Sequence, residues 1–308
     1  MKKFYHKIRI ILLSTWGCMI KPYIDFRIKR MEGTGINTSE ERRRKVIVSL
    51  TSYGRRVKDI LPYTIYSLLQ QDYKPDAVIL WLDFDNWNDN NLPHQIKLLQ
   101  AHGLTVRYCK DLRSYKKHVP ALSEYPEDLI ITTDDDFYYA KDFVCRLISA
   151  FKSDPNRIYT HRAHRPTFRD GKLLPYDKWN KLVYNLSDGP LFPTTGGGCL
   201  FQRHLLADDA LNEELFKQFC PTADDVWFYF MTIIKKTRIT VLPFKEGTMI
   251  PLDTFYQLNH KGSSLQHENR GKLSLNDKQI NKMMEHYNLL SSDLETSNIP
   301  LINCKLNK

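Results

Sequence analysis

Short, continuous apolar runs alternate along the chain with stretches where apolar residues recur every three or four positions. Val46-Ile47-Val48-Ser49-Leu50 is β-branched and unbroken, as a strand buried on both faces would be, and it runs into the turn-prone Thr51-Ser52-Tyr53-Gly54. Val57, Ile60, Leu61, Ile65, Leu68 and Leu69 then share one helical face. The pattern predicts a second strand over Ala77–Leu82, a helix over Pro93–His102 closed by Gly103, a third strand over Leu104–Tyr108 and a fourth over Leu129–Thr133. Strands separated by helices of this length need right-handed crossovers. A mostly parallel sheet with helices on both faces follows, an α/β doubly wound domain.

Beyond residue 156 the rhythm changes. Asp170-Gly171, Asp188-Gly189-Pro190 and Gly196-Gly197-Gly198 mark turns around short strands expected at Arg157–Thr160 and Cys199–Gln202, so the second half reads as mixed and loop-rich. Leu275, Asn276, Gln279 and Ile280 match a capping box with a hydrophobic staple. They open a helix whose face is Ile280, Met283, Met284 and Tyr287. The polar stretch 33–45, ending in Arg42-Arg43-Arg44-Lys45, reads as a linker. The expected organisation is a basic segment and linker over 1–44, a domain over 45–260, and a C-terminal loop and helix over 261–308.

Composition narrows the class. Among 308 residues, 42% hydrophobic and 26% charged exclude collagen-like and disordered chains, and six scattered cysteines without a C-x-x-C pair suggest neither a zinc site nor a disulfide framework. A reducing compartment fits. The net charge of +10 favours anionic partners. Much of it lies early: Lys2, Lys3, Lys7, Arg9, Lys21, Arg27, Lys29 and Arg30 oppose only Asp25 in the first 30 residues. They surround a mostly apolar run from Ile10 to Ile20, shorter than the ~20 residues that span a bilayer as a helix. No small-x-small cleavage site follows, so the segment reads as interfacial, with Trp16 and Tyr23 at headgroup depth. A basic helix that covers the domain or docks on a partner is the plainer alternative. A nucleic-acid role is not expected, because no helix-turn-helix, RNA-recognition or zinc signature accompanies the charge.

The sharpest chemical feature is Ile130-Ile131-Thr132-Thr133-Asp134-Asp135-Asp136, three acids at the carboxyl end of a buried strand, where open α/β sheets bind ligands. Adjacent carboxylates repel one another, and all-oxygen ligation suits Mg²⁺, Mn²⁺ or Ca²⁺. In an extended chain Asp134 and Asp136 would share a face. The same acids could instead form a solvated turn before the next helix. A second pair, Asp224-Asp225, opens an apolar stretch read as a helix; a carboxylate there can be a desolvated general base, or Asp224 can merely cap the helix. Gly196-Gly197-Gly198 precedes an apolar strand and permits close backbone approach to a ligand. Arg55, Arg56, Lys116 and Lys117 fall in loops beside strand ends and could pair with phosphate, or be ordinary surface charges. His161, His164 and Arg165 lack the spacing of a metal site, and Trp179 and Tyr184 suit either a sugar face or the core.

The strand Val46–Tyr53, then Ser67-Leu68-Leu69-Gln70-Gln71-Asp72-Tyr73-Lys74-Pro75, then Ala77-Val78-Ile79-Leu80, then the Asp134-Asp135-Asp136 strand end together resemble the GT-A fold glycosyltransferases of family 2. The resemblance covers roughly residues 45–260. It implies that Thr51, Tyr53 and Asp83 meet the nucleotide, although the second strand lacks the family's paired acids, and that Arg55, Lys117, Asp134 and Asp135 serve the donor. It implies Mn²⁺ or Mg²⁺ on Asp136 and Asp134, with His260 as a third ligand; His267 and Arg270 lie in the same loop. It implies Asp225 as general base, Asp224 at the acceptor, and Gly197, Gly198 and Trp227 lining the acceptor or sugar pocket.

The expected activity is therefore metal-dependent transfer of a sugar, with inversion, from a nucleotide-sugar to a glycan or lipid-linked acceptor in cell-surface polysaccharide synthesis. The expected location is the cytoplasmic face of the cytoplasmic membrane, through peripheral contact of residues 1–30. The alternatives are another metal-dependent diphosphate enzyme, such as a nucleotidyltransferase or phosphohydrolase, and a non-catalytic basic binding protein. No P-loop and no G-x-G-x-x-G supports the former.

Overall fold

The computed structural model describes residues 12, 15–17, 19–254 and 274–297; the proposed ligand His260, with His267 and Arg270, lies outside them. Helix α1 (Lys21–Lys29) leads to β1 (Val46–Thr51), the short helices α2 (Arg56–Asp59) and α3 (Leu61–Leu68), β2 (Ala77–Asp83), α4 (His94–Gln100) and β3 (Leu104–Cys109). A 3-10 turn at Arg113–Lys117, α5 (Val119–Glu124), β4 (Leu129–Thr133), β5 (Phe137–Tyr139), α6 (Phe143–Ser153) and β6 (Arg157–Thr160) follow. The expected loop-rich part contains β7 (Ala163–Arg165), β8 (Phe168–Arg169), β9 (Lys172–Leu173), β10 (Asn180–Val183), β11 (Phe192–Pro193) and β12 (Gly197–Phe201). The chain continues through α7 (Glu213–Phe219), α8 (Asp224–Ile234), β13 (Arg238–Val241), β14 (Met249–Pro251), α9 (Leu275–His286) and α10 (Ser291–Glu295).

The central sheet has seven strands in the order β13-β6-β12-β4-β1-β2-β3. β1 pairs in parallel with β2 and β4, β2 with β3, and β6 with β13; β12 runs antiparallel between β4 and β6. The mostly parallel sheet expected from the sequence is thus present, with one reversed strand. Alternation along β1 explains its two covered faces: Val46, Val48 and Leu50 join a layer with α1, α3, α4 and α6, and Ile47 points into the layer of α5, α7, α8 and α9. Each fully buried large apolar side chain contributes roughly 1.5–3 kcal/mol.

Two local expectations are corrected. The helix expected over 57–69 is broken at Ile60, because Pro62 has no N–H to continue the ladder to Lys58. The capping box at α9 does not form. Instead Gln279 is buried and accepts the Thr222 backbone N–H at 3.1 Å, tying α9 to the loop before α8. Among the described residues Cys109, Cys145, Cys199 and Cys220 are free.

Candidate functional site

The acids lie at the carboxyl ends of β4 and β1, in the turn between β4 and β5 rather than in the extended chain anticipated. Asp135 is buried; it accepts the Ser52 hydroxyl at 2.5 Å and pairs with Arg56 at 2.7 Å. Asp134 and Asp136 remain partly accessible, and different cations hold them. Lys117 Nζ lies 2.9 Å from Asp134 and 3.2 Å from Asp224, and Arg56 lies 3.3 Å from Asp136. Lys117 holds only the Oδ1 of Asp134, and Oδ2 looks toward Arg162 at 4.0 Å, so this ion pair does not by itself exclude a metal there. Asp135 differs: both its oxygens are taken, by Ser52 and Arg56, which corrects its expected contact with the donor.

Glycine shapes this corner. A β-carbon on Gly196 would stand 1.8 Å from the Asp134 carboxylate, and Gly198, with φ of +83°, would drive one to 2.3 Å from the Phe143 ring. Gly197 would meet Arg162 at 2.8 Å. Gly197 and Gly198 are buried, so they let protein side chains approach the backbone rather than a ligand.

The start of α8 supplies the second pair. Asp225 accepts the Thr195 backbone N–H at 2.8 Å and the Thr195 hydroxyl at 2.6 Å. Burial, with Asp224 alongside, pushes its carboxyl up to about 6 despite Lys117. Asp224 has the opposite fate. Burial opposes its charge, but Lys117 and His118 outweigh that and hold it well below the usual carboxylate range. His118, pushed down to about 4 by burial, faces Asp224 through Nε2 at 3.1 Å, and among the described residues Nδ1 has no hydrogen-bond partner. Lys117, His118 and the Thr195 hydroxyl all meet Asp224 at one oxygen, Oδ2.

Other expected site residues separate similarly. Tyr53 is exposed, and the Arg56 guanidinium lies over its ring, 5.6 Å from the centroid. Thr51 donates its hydroxyl to the Trp81 carbonyl at 2.7 Å. Asp83 is buried and accepts from the Asn86 backbone and side chain at 3.0 and 2.6 Å, so it closes a turn instead of facing a base. Arg55 pairs with Asp253 at 2.6 Å, and Arg56 with the same carboxylate at 3.3 Å. Trp227 is corrected outright: it is fully buried, its indole N–H bonds the Ala210 carbonyl at 2.9 Å, and its ring packs against Phe216. Trp179 is likewise core, and His161 is a buried neutral ring, pushed down to about 4 by burial, with Nε2 on the Phe143 carbonyl at 2.9 Å.

Thr195, His118, Arg162, Asp253 and Ser52 were not singled out by the sequence patterns. Of these only the adjacency of His118 to Lys117 carried any signal.

A cavity of about 300 Å³ adjoins the acids, walled by Phe137, Tyr184 and Phe244 and by Arg146, Arg162 and Lys245. Arg162 links the two, its guanidinium 4.0 Å from Asp134 and 5.5 Å from the Phe137 ring centroid. A larger hollow of about 560 Å³, lined by residues 37–41 with Lys45 and Asp76, lies at the amino ends of β1 and β2, away from this chemistry.

Charge balance decides what the acidic floor can hold. Among the described residues Asp134, Asp135, Asp136, Asp224 and Asp253 share the cations Arg55, Arg56, Lys117 and Arg162, with Asp225 alongside on Thr195. Burial and the neighbouring Asp135 and Asp134 push the Asp136 carboxyl up to about 7, although Arg56 opposes them. Among the described residues no three His, Cys, Asp or Glu side chains form a closed metal cage. A hard divalent cation does not need one, because Mg²⁺ commonly binds one or two carboxylates together with substrate phosphate oxygens and water. Asp136 fits that mode.

No protein-family model and no curated protein sequence matches the chain. Its fold is similar to those of several solved proteins. A mannosyltransferase from Pyrobaculum calidifontis in complex with GDP-Man and Mn²⁺ is 17% identical over 94% of this chain and 83% of its own, with a TM-score of 0.43. A fragment of S. aureus TarS is 12% identical over 79% and 71%, at 0.44. A 4-diphosphocytidyl-2C-methyl-D-erythritol synthase is 13% identical over 70% and 97%, at 0.45.

Proposed function

We propose that this protein is a glycosyltransferase that uses a nucleotide-sugar and a divalent cation, with Asp225 as the base that deprotonates an acceptor hydroxyl. The observation that carries the reading is Asp225 itself, a partly exposed carboxylate with its pKa raised to about 6, next to Asp224, which shares Lys117 with Asp134. A base of that strength is charged at neutral pH and still able to take a proton. Asp224, fixed as an anion by Lys117 and His118, keeps Asp225 raised, and Thr195 orients it.

The donor's nucleobase is assigned to the exposed ring of Tyr53, and its diphosphate to the mouth beside Asp136. Mn²⁺ or Mg²⁺ held by Asp136 and the donor phosphates supplies Lewis-acid neutralisation of the leaving nucleoside diphosphate. The acceptor enters past Arg162 and the aromatic-walled cavity, so that its hydroxyl meets Asp225 across the sugar from the leaving group. That arrangement gives inversion in a single displacement. A hydroxyl nucleophile has a proton for Asp225 to take, whereas the already ionised phosphate that attacks in nucleotidyl transfer has none to give, which is why glycosyl transfer is preferred to nucleotidyl transfer.

The test incubates the protein with UDP-, GDP-, CMP- and dTDP-sugars, with and without Mn²⁺ or Mg²⁺, and in parallel with nucleoside triphosphates plus sugar phosphates. Metal-dependent release of nucleotide from one sugar nucleotide supports the proposal. Release of pyrophosphate from a triphosphate in its place assigns the site to nucleotidyl transfer.

A further inference from the structure

We infer that the outer face of the N-terminal helical segment is a docking surface for an anionic lipid bilayer, held beside the acidic cleft. Leu12, Trp16, Met19, Tyr23 and Phe26 recur at alternating steps of four and three residues, the spacing of one helical stripe, and all are between 40% and 74% exposed. The helical backbone continues into α1, with Ile20 N–H on the Trp16 carbonyl and Ile24 N–H on the Ile20 carbonyl, both at 2.9 Å. The opposite face is committed to the protein. Ile24 and Ile28 are buried there, so the stripe is what the fold leaves outside.

Charge selects the partner. Arg27, Lys29 and Arg30 are exposed along the same segment, and two guanidiniums lie over the stripe's own rings, Arg27 at 5.8 Å from Tyr23 and Arg30 at 4.2 Å from Phe26. Asp25, the acid within α1, is turned inward onto Gln95 and Tyr63. Aromatic rings edged by arginines, with the local acid withdrawn, match an interface of acyl chains beneath anionic headgroups. Among the described residues no helix is long and apolar enough to cross a membrane. Because Ile24 and Ile28 bury one side of the helix in the protein, only its outer side can meet lipid, and the contact is parallel to the surface.

The segment is fixed rather than tethered. A β-carbon on Gly17 would lie 2.7 Å from the Pro251 carbonyl, and the Trp16 ring meets Tyr138 edge-on at 5.7 Å between centroids. Pro251 pairs with Phe137 in the two-stranded antiparallel sheet of β5 and β14, which begins just after Asp136, and Leu252 donates its N–H to the Asp136 carbonyl at 2.8 Å. A bilayer on the stripe therefore lies next to the sheet that walls the cavity of about 300 Å³ and adjoins Asp136. Given the glycosyl-transfer reading, that position suits an acceptor that is itself lipid-linked; the docking does not depend on that reading.

The test is co-sedimentation of the full chain with phosphatidylcholine vesicles and with vesicles containing phosphatidylglycerol, at low and high salt. The wild type should pellet with the anionic vesicles and be released by salt, and Trp16→Ser/Tyr23→Ser/Phe26→Ser should bind about tenfold more weakly or less. Unchanged thermal unfolding certifies that the triple variant folds; if it does not, Arg27→Gln/Arg30→Gln should weaken binding to anionic vesicles alone. Wild-type protein left in the supernatant, or a folded triple variant that still pellets, overturns the inference. So does a wild-type dimer that the triple variant makes monomeric without any vesicle binding, which would make the stripe an interface between copies.

Discussion

Asp225 is seated on Thr195, whose backbone N–H and hydroxyl both donate to one carboxylate oxygen, at 2.8 and 2.6 Å. The hydroxyl favours the charged form of Asp225, so its removal raises an already raised pKa. Thr195→Val should move the acid limb of the pH–rate profile upward by about one unit, the equivalent of one charge-assisted hydrogen bond. Thr195→Ser should restore it. A change in melting temperature without any shift of the limb would reduce Thr195 to a structural part.

In the wild type, kcat should rise from pH 5 and be half-maximal near pH 6, because Asp225, pushed up to about 6 by burial and Asp224, acts only when deprotonated. The same raised pKa makes an opposite contribution to stability. Asp225 stabilises the fold below the ordinary aspartate range, and that contribution is lost as pH rises through 6. Thermal unfolding of Asp225→Asn across pH 4–8 should lack this part of the wild-type decline.

Lys117 is the cation that lets Asp134 and Asp224 share one corner. Lys117→Met removes the ammonium that the two carboxylates share, leaving Asp224 to His118 and Thr195 and Asp134 to Arg162, and should destabilise the protein by up to roughly 3–5 kcal/mol in chemical denaturation. Lys117→Arg should recover little, since a planar guanidinium does not replace a compact ammonium between two carboxylates.

Gly196→Ala should displace the Asp134 carboxylate from Lys117, because the new methyl occupies its place. A cost of about 1–3 kcal/mol, the range for overpacking, is expected in urea unfolding, together with loss of nucleotide release. Equal stability and activity would mean that Asp134 can leave its corner freely.

The sheet was legible because its strands are short β-branched runs between helical periods, and the reversed strand β12 was legible only as a strand, its direction being set by tertiary pairing. The acids at the end of β4 and at the start of α8 were visible as local clusters. What they touch was not: Lys117 is 107 residues from Asp224, and Arg55 is 198 from Asp253. Basic residues in loops therefore read as phosphate binders or surface charges when they are occupied ion-pair partners. Trp227 carried its own warning, since Val226-Trp227-Phe228-Tyr229-Phe230-Met231 has no polar face and a helix apolar all round is enclosed. Thr195, placed opposite Asp225 by the β12 turn, left no pattern at all.

Catalysis by Asp225 in a nucleotide-sugar site separates binding from turnover, and the most direct measurement is of both on Asp225→Asn beside Asp136→Asn. Using the sugar nucleotide identified in the donor panel, binding is read by thermal shift with and without Mn²⁺, and transfer by nucleotide release with acceptor present. Asp225→Asn should keep the metal-dependent thermal shift and lose about 10²–10⁴-fold in kcat, whereas Asp136→Asn should lose the shift itself. An Asp225→Asn protein that turns over at the wild-type rate, or a wild type that no nucleotide-sugar stabilises under any metal condition, would contradict the proposed chemistry.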